Sequence, residues 1–395
     1  MRRDGAADAG RAPLRSTVLL FGAIAALGSL ATQLLVPALP SIAGELRVGV
    51  ASAQLVVGVF LIGLGAGQLL VGPLADRTER RTLLLLGLVA YALASLLGMV
   101  AGSLAILLLA RLGQAAGSAA GLVTARVLLN QMVPPQKAVA AQAGLMTVVL
   151  ISPALAPVIG GLLTEWFGWR AIMGGLAFAG VVAALVVSRR IPPGTGHGTA
   201  ADRPALRIAY GRVLSNRRFV AASAAMAFGS ASLYLFLGSA PFLLEDSYRL
   251  TPRETGTCLL LVACASITGT RVVSSLQSHA DPLLVSTLLG VLAAGTLAAL
   301  SRDGDPSLPL VLAPLMLLGL TAGLTGPTAI SHILASEPGL EGTSSSVAGA
   351  LQMAASAFLA WLLGPYASET ALHLALVLLP LTGAALLASL LLRRC

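Results

Sequence analysis

Residues 48–110 read VGVASAQLVVGVFLIGLGAGQLLVGPLADRTERRTLLLLGLVAYALASLLGMVAGSLAILLLA. Their charged residues, Asp76, Arg77, Glu79, Arg80 and Arg81, fall within six consecutive positions. On either side run 28 and 29 uncharged residues, Val48–Ala75 and Thr82–Ala110. About 20 mostly apolar helical residues cross a hydrocarbon core about 30 Å thick. The stretch therefore reads as membrane spans joined by a tight charged turn. Its Leu/Ala/Gly-rich texture does not alternate, which argues against a β-barrel. Lipid leaves a non-barrel chain only the helix, where every backbone group is paired internally.

The same pattern extends through the chain. Further neutral runs are Ser16–Gly44, Ala138–Thr164, Ala171–Ser188, Phe219–Leu244, Pro282–Ser301, Pro306–Ser336, Gly342–Ser368 and Thr370–Leu392. Two more apolar segments are interrupted by arginine, Ser103–Gln131 by Arg111 and Arg126, and Thr255–Leu276 by Arg271. The prediction is an all-α membrane protein of twelve transmembrane helices. Composition agrees, because only 10% of the 395 residues are charged, against about 25% in soluble domains. That excludes an ordinary soluble domain, a disordered chain and a coiled coil.

An even span count puts both termini on one side. With that side cytoplasmic, seventeen Lys and Arg lie inside: Arg2, Arg3, Arg11, Arg15, Arg77, Arg80, Arg81, Lys137, seven in 189–218, Arg393 and Arg394. Arg47, Arg170, Arg249, Arg253 and Arg302 lie outside. The bias predicts a multi-pass protein of the cell membrane with cytoplasmic termini. None of the 16 acids falls within a predicted span. The basic stretch 189–218 divides the chain into an N-terminal six-helix bundle (1–188), a cytoplasmic linker (189–218) and a C-terminal six-helix bundle (219–395). The linker suits an anchor on the anionic inner leaflet. The N-terminal neutral run is too long for the h-region of a cleaved leader. Trp166, Trp169 and Trp361 read as interfacial anchors near outer span ends. Arg271 reads as snorkelling, and His332 as solvated at an inner span end.

Enzyme chemistry finds no support. The lone lysine, Lys137, follows no phosphate-loop pattern. His197, His279, His332 and His373 lack metal-ligand spacing, and Cys258 and Cys264 share one helix beyond disulfide reach. No metal or organic cofactor and no nucleic-acid partner is expected.

Four motifs carry mechanism. The turn Gly72-Pro-Leu-Ala-Asp76-Arg77-Thr-Glu79-Arg80-Arg81 places a carboxylate and arginines at helix ends, where ion pairs can latch one conformational state. The same residues also suit a plain positive-inside anchor. The segment Arg111-Leu-Gly113-Gln114-Ala-Ala-Gly117-Ser-Ala-Ala-Gly121 combines an arginine about 10 Å deep, at 1.5 Å per residue, with a small-residue stripe for close packing. Burial of that charge costs about 2.5–3.5 kcal/mol on insertion scales, which points Arg111 toward a central cavity. Arg126 suits the cavity or the inner interface equally. The segment Ser152-Pro153-Ala-Leu-Ala-Pro157-Val-Ile-Gly160-Gly161 removes backbone donors and admits close approach. Span 1 carries Thr32-Gln33-Leu-Leu-Val-Pro37-Ala-Leu-Pro40.

The turn resembles the G-x-x-x-D-R-x-G-R-R/K loop of the major facilitator superfamily, departing at Glu79. The Arg111 segment resembles its R-x-x-Q-G-x-G motif, with Ala115 at the first glycine. The Pro153–Gly161 segment is similar to the motif of its antiporter branches. With Ser239-Ala-Pro241-Phe242, Gly326-Pro327-Thr328 and Gly349-Ala-Leu-Gln352, the chain resembles the bicyclomycin/chloramphenicol-resistance (Bcr/CflA) branch. The resemblance implies the two-bundle major facilitator fold. It also implies alternating access, export of a small drug from a cavity between the halves, and proton antiport. The branch's span-1 aspartate is Gln33 here and its span-4 aspartate is Asn130.

The cavity candidates are then Gln33, Arg111, Gln114, Arg126 and Asn130, with Tyr234 and Phe236 opposite. Core or lipid packing explains Tyr234 and Phe236 as well. Gln33 would hydrogen-bond substrate or Arg111. Without carboxylates the cavity is expected to be electropositive and to prefer neutral or anionic compounds. The expected partners are a small-molecule drug or metabolite, protons and the bilayer, and the expected state is a monomer. A proton-independent facilitator, an importer or a non-transporting membrane sensor are the alternatives.

Overall fold

A computed structural model describes residues 11–133, 138–193, 206–304, 306–337 and 340–394. Helix dominates, and no strand occurs among the described residues. Span 1 runs Arg11–Gln33, then a 3₁₀ turn Val36–Ala38, then Leu39–Leu46. Spans 2 to 6 are Val50–Arg77, Arg80–Met99, Leu104–Met132, Ala138–Phe167 and Trp169–Arg190. A linker helix, Leu206–Ser215, precedes span 7, Arg217–Asp246. Spans 8 to 12 are Pro252–Leu276, Pro282–Leu300, Leu308–Ser336, Glu341–Ala367 and Ala371–Arg394. Eleven are apolar and long enough to cross a membrane. Span 5 is 30 residues long, with an apolar part at Ala154–Phe167. With span 5 counted, twelve helices run up and down, so the start of span 1 and the end of span 12 share one face, called here the terminal face.

Span 1 was expected as one uninterrupted run; it breaks instead at Gln33. Pro37 and Pro40 have no N–H to donate four residues back, to Gln33 and Val36. The chain answers with a 3₁₀ turn whose residues Val36, Pro37 and Ala38 are all buried. The break leaves the last carbonyls of the first segment without helical donors.

The helices pack as two bundles with one repeated plan. In the first, span 1 packs on 4 and 5, span 4 on 2 and 3, and span 3 on 6. In the second, span 7 packs on 10 and 11, span 10 on 8 and 9, and span 9 on 12. Adding six to each helix number of the first bundle yields the second. The predicted glycine stripe does pack closely. Gly113 sits against Ala94, Gly117 against Gly87 and Tyr91, and Gly121 against Ile24. Outward-facing Leu70 and Phe178 are 73% and 71% exposed, as a lipid-facing surface requires.

On the terminal face, Asn216 caps span 7 by accepting from the Arg218 and Phe219 N–H groups. Its Nδ2 donates to the Glu337 carboxylate and the Ser336 carbonyl, and Arg212 of the linker helix pairs with Glu337. On the opposite face, Thr251 and Glu254 form a reciprocal cap on span 8. Trp166 and Trp361 are exposed, but Trp169 is only 1% exposed, which corrects the anchor reading for that residue. Its Nε1 donates to Glu45 at 2.6 Å. Arg170 ion-pairs the same carboxylate and stacks over the Trp169 ring at 4.3 Å. This clasp ties the second segment of span 1 to span 6. Glu45→Ala leaves a buried indole N–H without its acceptor, at a cost of about 1–3 kcal/mol. A lower melting temperature in detergent is expected; an unchanged one would show that the clasp contributes nothing.

Candidate functional site

Six helices enclose the centre of the molecule. Span 1 packs on 5, 5 on 8, 8 on 7, 7 on 11, 11 on 2 and 2 on 1. Two half-buried polar pairs sit near mid-span on opposite sides of this ring. Ser29 and Ser152 join spans 1 and 5, Oγ to Oγ at 2.7 Å. Gln352 Nε2 donates to Ser230 Oγ at 2.5 Å and joins spans 11 and 7. Ser230 follows Ser29 by 201 positions and Gln352 follows Ser152 by 200, so each half supplies one pair at the same level. Polar side chains at membrane depth face a bundle interior or a cavity and mark substrate paths. Solute sites near the midplane, at the interface of repeats, are general among secondary transporters.

Arg111 lies fully buried on span 4 beside this ring. Its Nε donates to the Val56 carbonyl at 2.9 Å, and its Nη1 to the Ala31 carbonyl at 3.0 Å and Gln114 Oε1 at 2.8 Å. The guanidinium also stacks over Phe60 at 4.2 Å. Gln114 passes the network on to Ser95 Oγ at 2.7 Å, which donates to the Tyr91 carbonyl. Among the described residues no carboxylate takes part. Ala31 belongs to the last turn of span 1's first segment, so its carbonyl lies at the negative end of a helix dipole. The break in span 1 and the arginine on span 4 thus answer each other: the Ala31 carbonyl, at the end of the broken segment, accepts from the cation. Arg111 Nη2 has no hydrogen-bond partner among the described residues.

The other predicted residues are dispersed. Gln33 is half-buried at the break, and its side chain is not among Arg111's hydrogen-bond acceptors. Arg126 is half-buried near the terminal-face end of span 4. Tyr234 is half-buried and Phe236 fully buried, both within the main apolar cluster. Arg271 is exposed. The side chains of Asn130, Gly72, Asp76, Arg77 and Pro153 lie outside the described residues. In the charged turn, Glu79 accepts from the Thr82 hydroxyl at 2.6 Å. Arg80 is buried. Arg81 donates to the Ile191 and Ser188 carbonyls at 2.6 and 3.2 Å, at the junction of span 6 with the linker.

The halves meet on the face opposite the termini. Gln54, 4% exposed on span 2, donates to the Gly238 carbonyl of span 7 and to Ser368 Oγ beyond span 11, at 3.2 and 3.3 Å. Deeper along span 2, Gly58 and Gly65 approach Ala357, Ala350 and Met353 of span 11. Across the molecule, Gly161 of span 5 lies against the Pro252 carbonyl, and Gly256 of span 8 against the Pro157 carbonyl. Gly160 lies against Leu34 of span 1. The Pro157–Gly161 motif is therefore the junction of spans 1, 5 and 8.

Twelve helices in two equivalent bundles around a polar centre define a membrane transporter built from repeats. The family model of the Major Facilitator Superfamily matches residues 21–365, and the chain belongs to that superfamily. It is 28% identical over 344 residues to Multidrug resistance protein D of Escherichia coli (strain K12), with 87% of each chain covered. It is likewise 28% identical over 356 residues to a Chloramphenicol resistance protein of Streptomyces lividans, covering 90% of this chain and 88% of that one. A solved bacterial homolog of the human lysosomal transporter Spinster shares the fold, with a TM-score of 0.73 at 16% identity over 97% of this chain and 95% of that one. The nucleoside transporter NupG shares it with a TM-score of 0.74 at 12% identity, over 96% and 99%. The chain is a transporter of this superfamily and not an enzyme.

Proposed function

We propose that this protein exports a small organic compound by alternating access and uses the proton gradient, with both termini in the cytoplasm. The residue ranges 1–188 and 219–395 move as the two halves about the mid-ring polar pairs, joined by the linker 189–218. Arg111 carries the reading of the substrate. Its charge is held by backbone carbonyls and an amide, with no carboxylate among the described residues to cancel it, so the field in the centre is positive. Neutral polar or anionic compounds fit such a centre, and lipophilic cations do not. The names of the multidrug and chloramphenicol resistance relatives support a drug-like substrate. Glu245, in the last turn of span 7, has a buried carboxylate oxygen without a hydrogen-bond partner among the described residues. It supplies a titratable group for coupling at the end of a span.

The test is protection of a pump-deficient bacterial host. Resistance to chloramphenicol-like neutral compounds is expected to exceed resistance to cationic dyes, and Gln33→Asp is expected to improve export of the dyes. Equal protection against both classes would overturn the charge argument. Flux in proteoliposomes is expected to rise with an imposed pH gradient. Flux indifferent to the gradient would make the protein a facilitator.

A further inference from the structure

A cavity of about 250 Å³ opens between the terminal-face ends of spans 1, 4 and 6. Its lining includes Ser16 and Thr17 of span 1 and Arg190 of span 6. Leu20 and Phe21, one turn deeper along span 1, and Met132 of span 4 supply apolar wall. Along span 1 the lining therefore changes from hydroxyls to hydrocarbon within one helical turn, about 5.4 Å. Among the described residues no carboxylate forms an ion pair with Arg190. Basic pockets between transmembrane helices at a membrane surface are suited to anionic lipid headgroups.

We propose that this cavity is a headgroup site for an anionic phospholipid. The phosphate lies on Arg190, at the end of the cavity that Ser16 and Thr17 line, and the acyl end of the glycerol lies against Leu20, Phe21 and Met132. The wall is also mechanically connected. Ile191 lines the cavity, and its carbonyl accepts from Arg81 of the charged turn. A lipid on Arg190 thus bears on the segment that Arg81 holds, and lipid composition biases the conformational balance through that turn. Placement in the inner leaflet rests on the topology proposed above; the binding itself does not.

The experiment is native mass spectrometry of the purified full chain from detergent containing phosphatidylglycerol and phosphatidylethanolamine. Wild type is expected to retain one phosphatidylglycerol. Arg190→Gln lowers that occupancy about fivefold, the effect of one cation near an anionic surface, whereas Arg189→Gln leaves it unchanged. Met132→Trp, which fills the apolar wall without changing charge, also removes the lipid. Equal retention in wild type and Arg190→Gln overturns the proposal. So does retention lost equally in Arg189→Gln and Arg190→Gln, or kept in a folded Met132→Trp, since either reports general surface attraction. Displacement of the lipid by excess inorganic phosphate shows a free-anion site and also overturns it. None of these readouts requires transport, so they stand apart from the proposed efflux.

Discussion

Gly256→Val is expected to cut transport at least tenfold while leaving a folded, membrane-inserted protein. A Cβ at position 256 meets the Pro157 carbonyl oxygen, and it lies 3.1 Å from the Val158 Cα. Both are backbone atoms of span 5, so no side-chain rotation relieves the clash. The relief available is to separate spans 5 and 8, which belong to different halves and touch near the face opposite the termini. Overpacking of this kind costs about 1–3 kcal/mol. Here the strain is charged to the closed face, and a bias of that size shifts a two-state balance about tenfold or more. Gly161→Val is expected to act in the same direction, because its Cβ would meet the Pro252 carbonyl from the other side of the seam. The check is a spin-label distance between Glu165→Cys and Arg253→Cys, at exposed positions of the two helices. A longer distance in Gly256→Val is expected. An unchanged distance with normal transport would show that the seam does not gate. Gly295→Ala serves as the control, since its Cβ meets nothing within 4 Å.

This seam shows how far the sequence could be read. The helices were legible because lipid forbids unpaired backbone, so long neutral runs mark them directly. The break in span 1 is also written there, in Pro37 and Pro40, two missing backbone donors within one neutral run. Arg111 was recognisable by its depth. Its partners were not, because Ala31 and Val56 hold it through carbonyls that every residue possesses. Ser29, Ser152 and Ser230 are single hydroxyls among many, and a span serine can bond its own helix. Their value comes from which helices become neighbours, a property of the tertiary packing. Gln352 could have been singled out, as an amide in mid-span with no loop nearby. Trp169 was misread because its composition-level role, an anchor at the interface, competes with a specific acceptor, Glu45, 124 positions away. Phe236, for which cavity lining and core packing were equally open, packs in the apolar cluster, where the periodicity of an all-apolar helix cannot separate core from path.

Arg111→Leu is expected to reduce export about a hundredfold and to lower thermal stability. The substitution removes three donated hydrogen bonds and leaves the Ala31 carbonyl and Gln114 Oε1 without the cation that held them. Hydrogen bonds to charged groups contribute about 1.5–3 kcal/mol each, so stability falls even though leucine suits lipid better than arginine. Part of that loss is offset, because the buried charge itself costs about 2.5–3.5 kcal/mol to insert. The functional loss is larger for a different reason. The guanidinium joins the end of span 1's first segment, span 2 through Val56 and span 4 at one point, and under the proposed function it is also the source of the central positive charge. Arg111→Lys separates these two contributions. Lysine keeps the charge but lacks the planar fork that serves Val56 and Ala31 together. It is therefore expected to retain the preference for neutral over cationic compounds while losing about tenfold in rate. Transport assays in proteoliposomes, paired with melting temperatures, distinguish the outcomes. Full export by a stable Arg111→Leu protein would show that the arginine is only a packing element and that the charge argument fails with it. Cation export gained by Arg111→Leu, with neutral export lost, would confirm that the field of this one side chain sets what the transporter accepts.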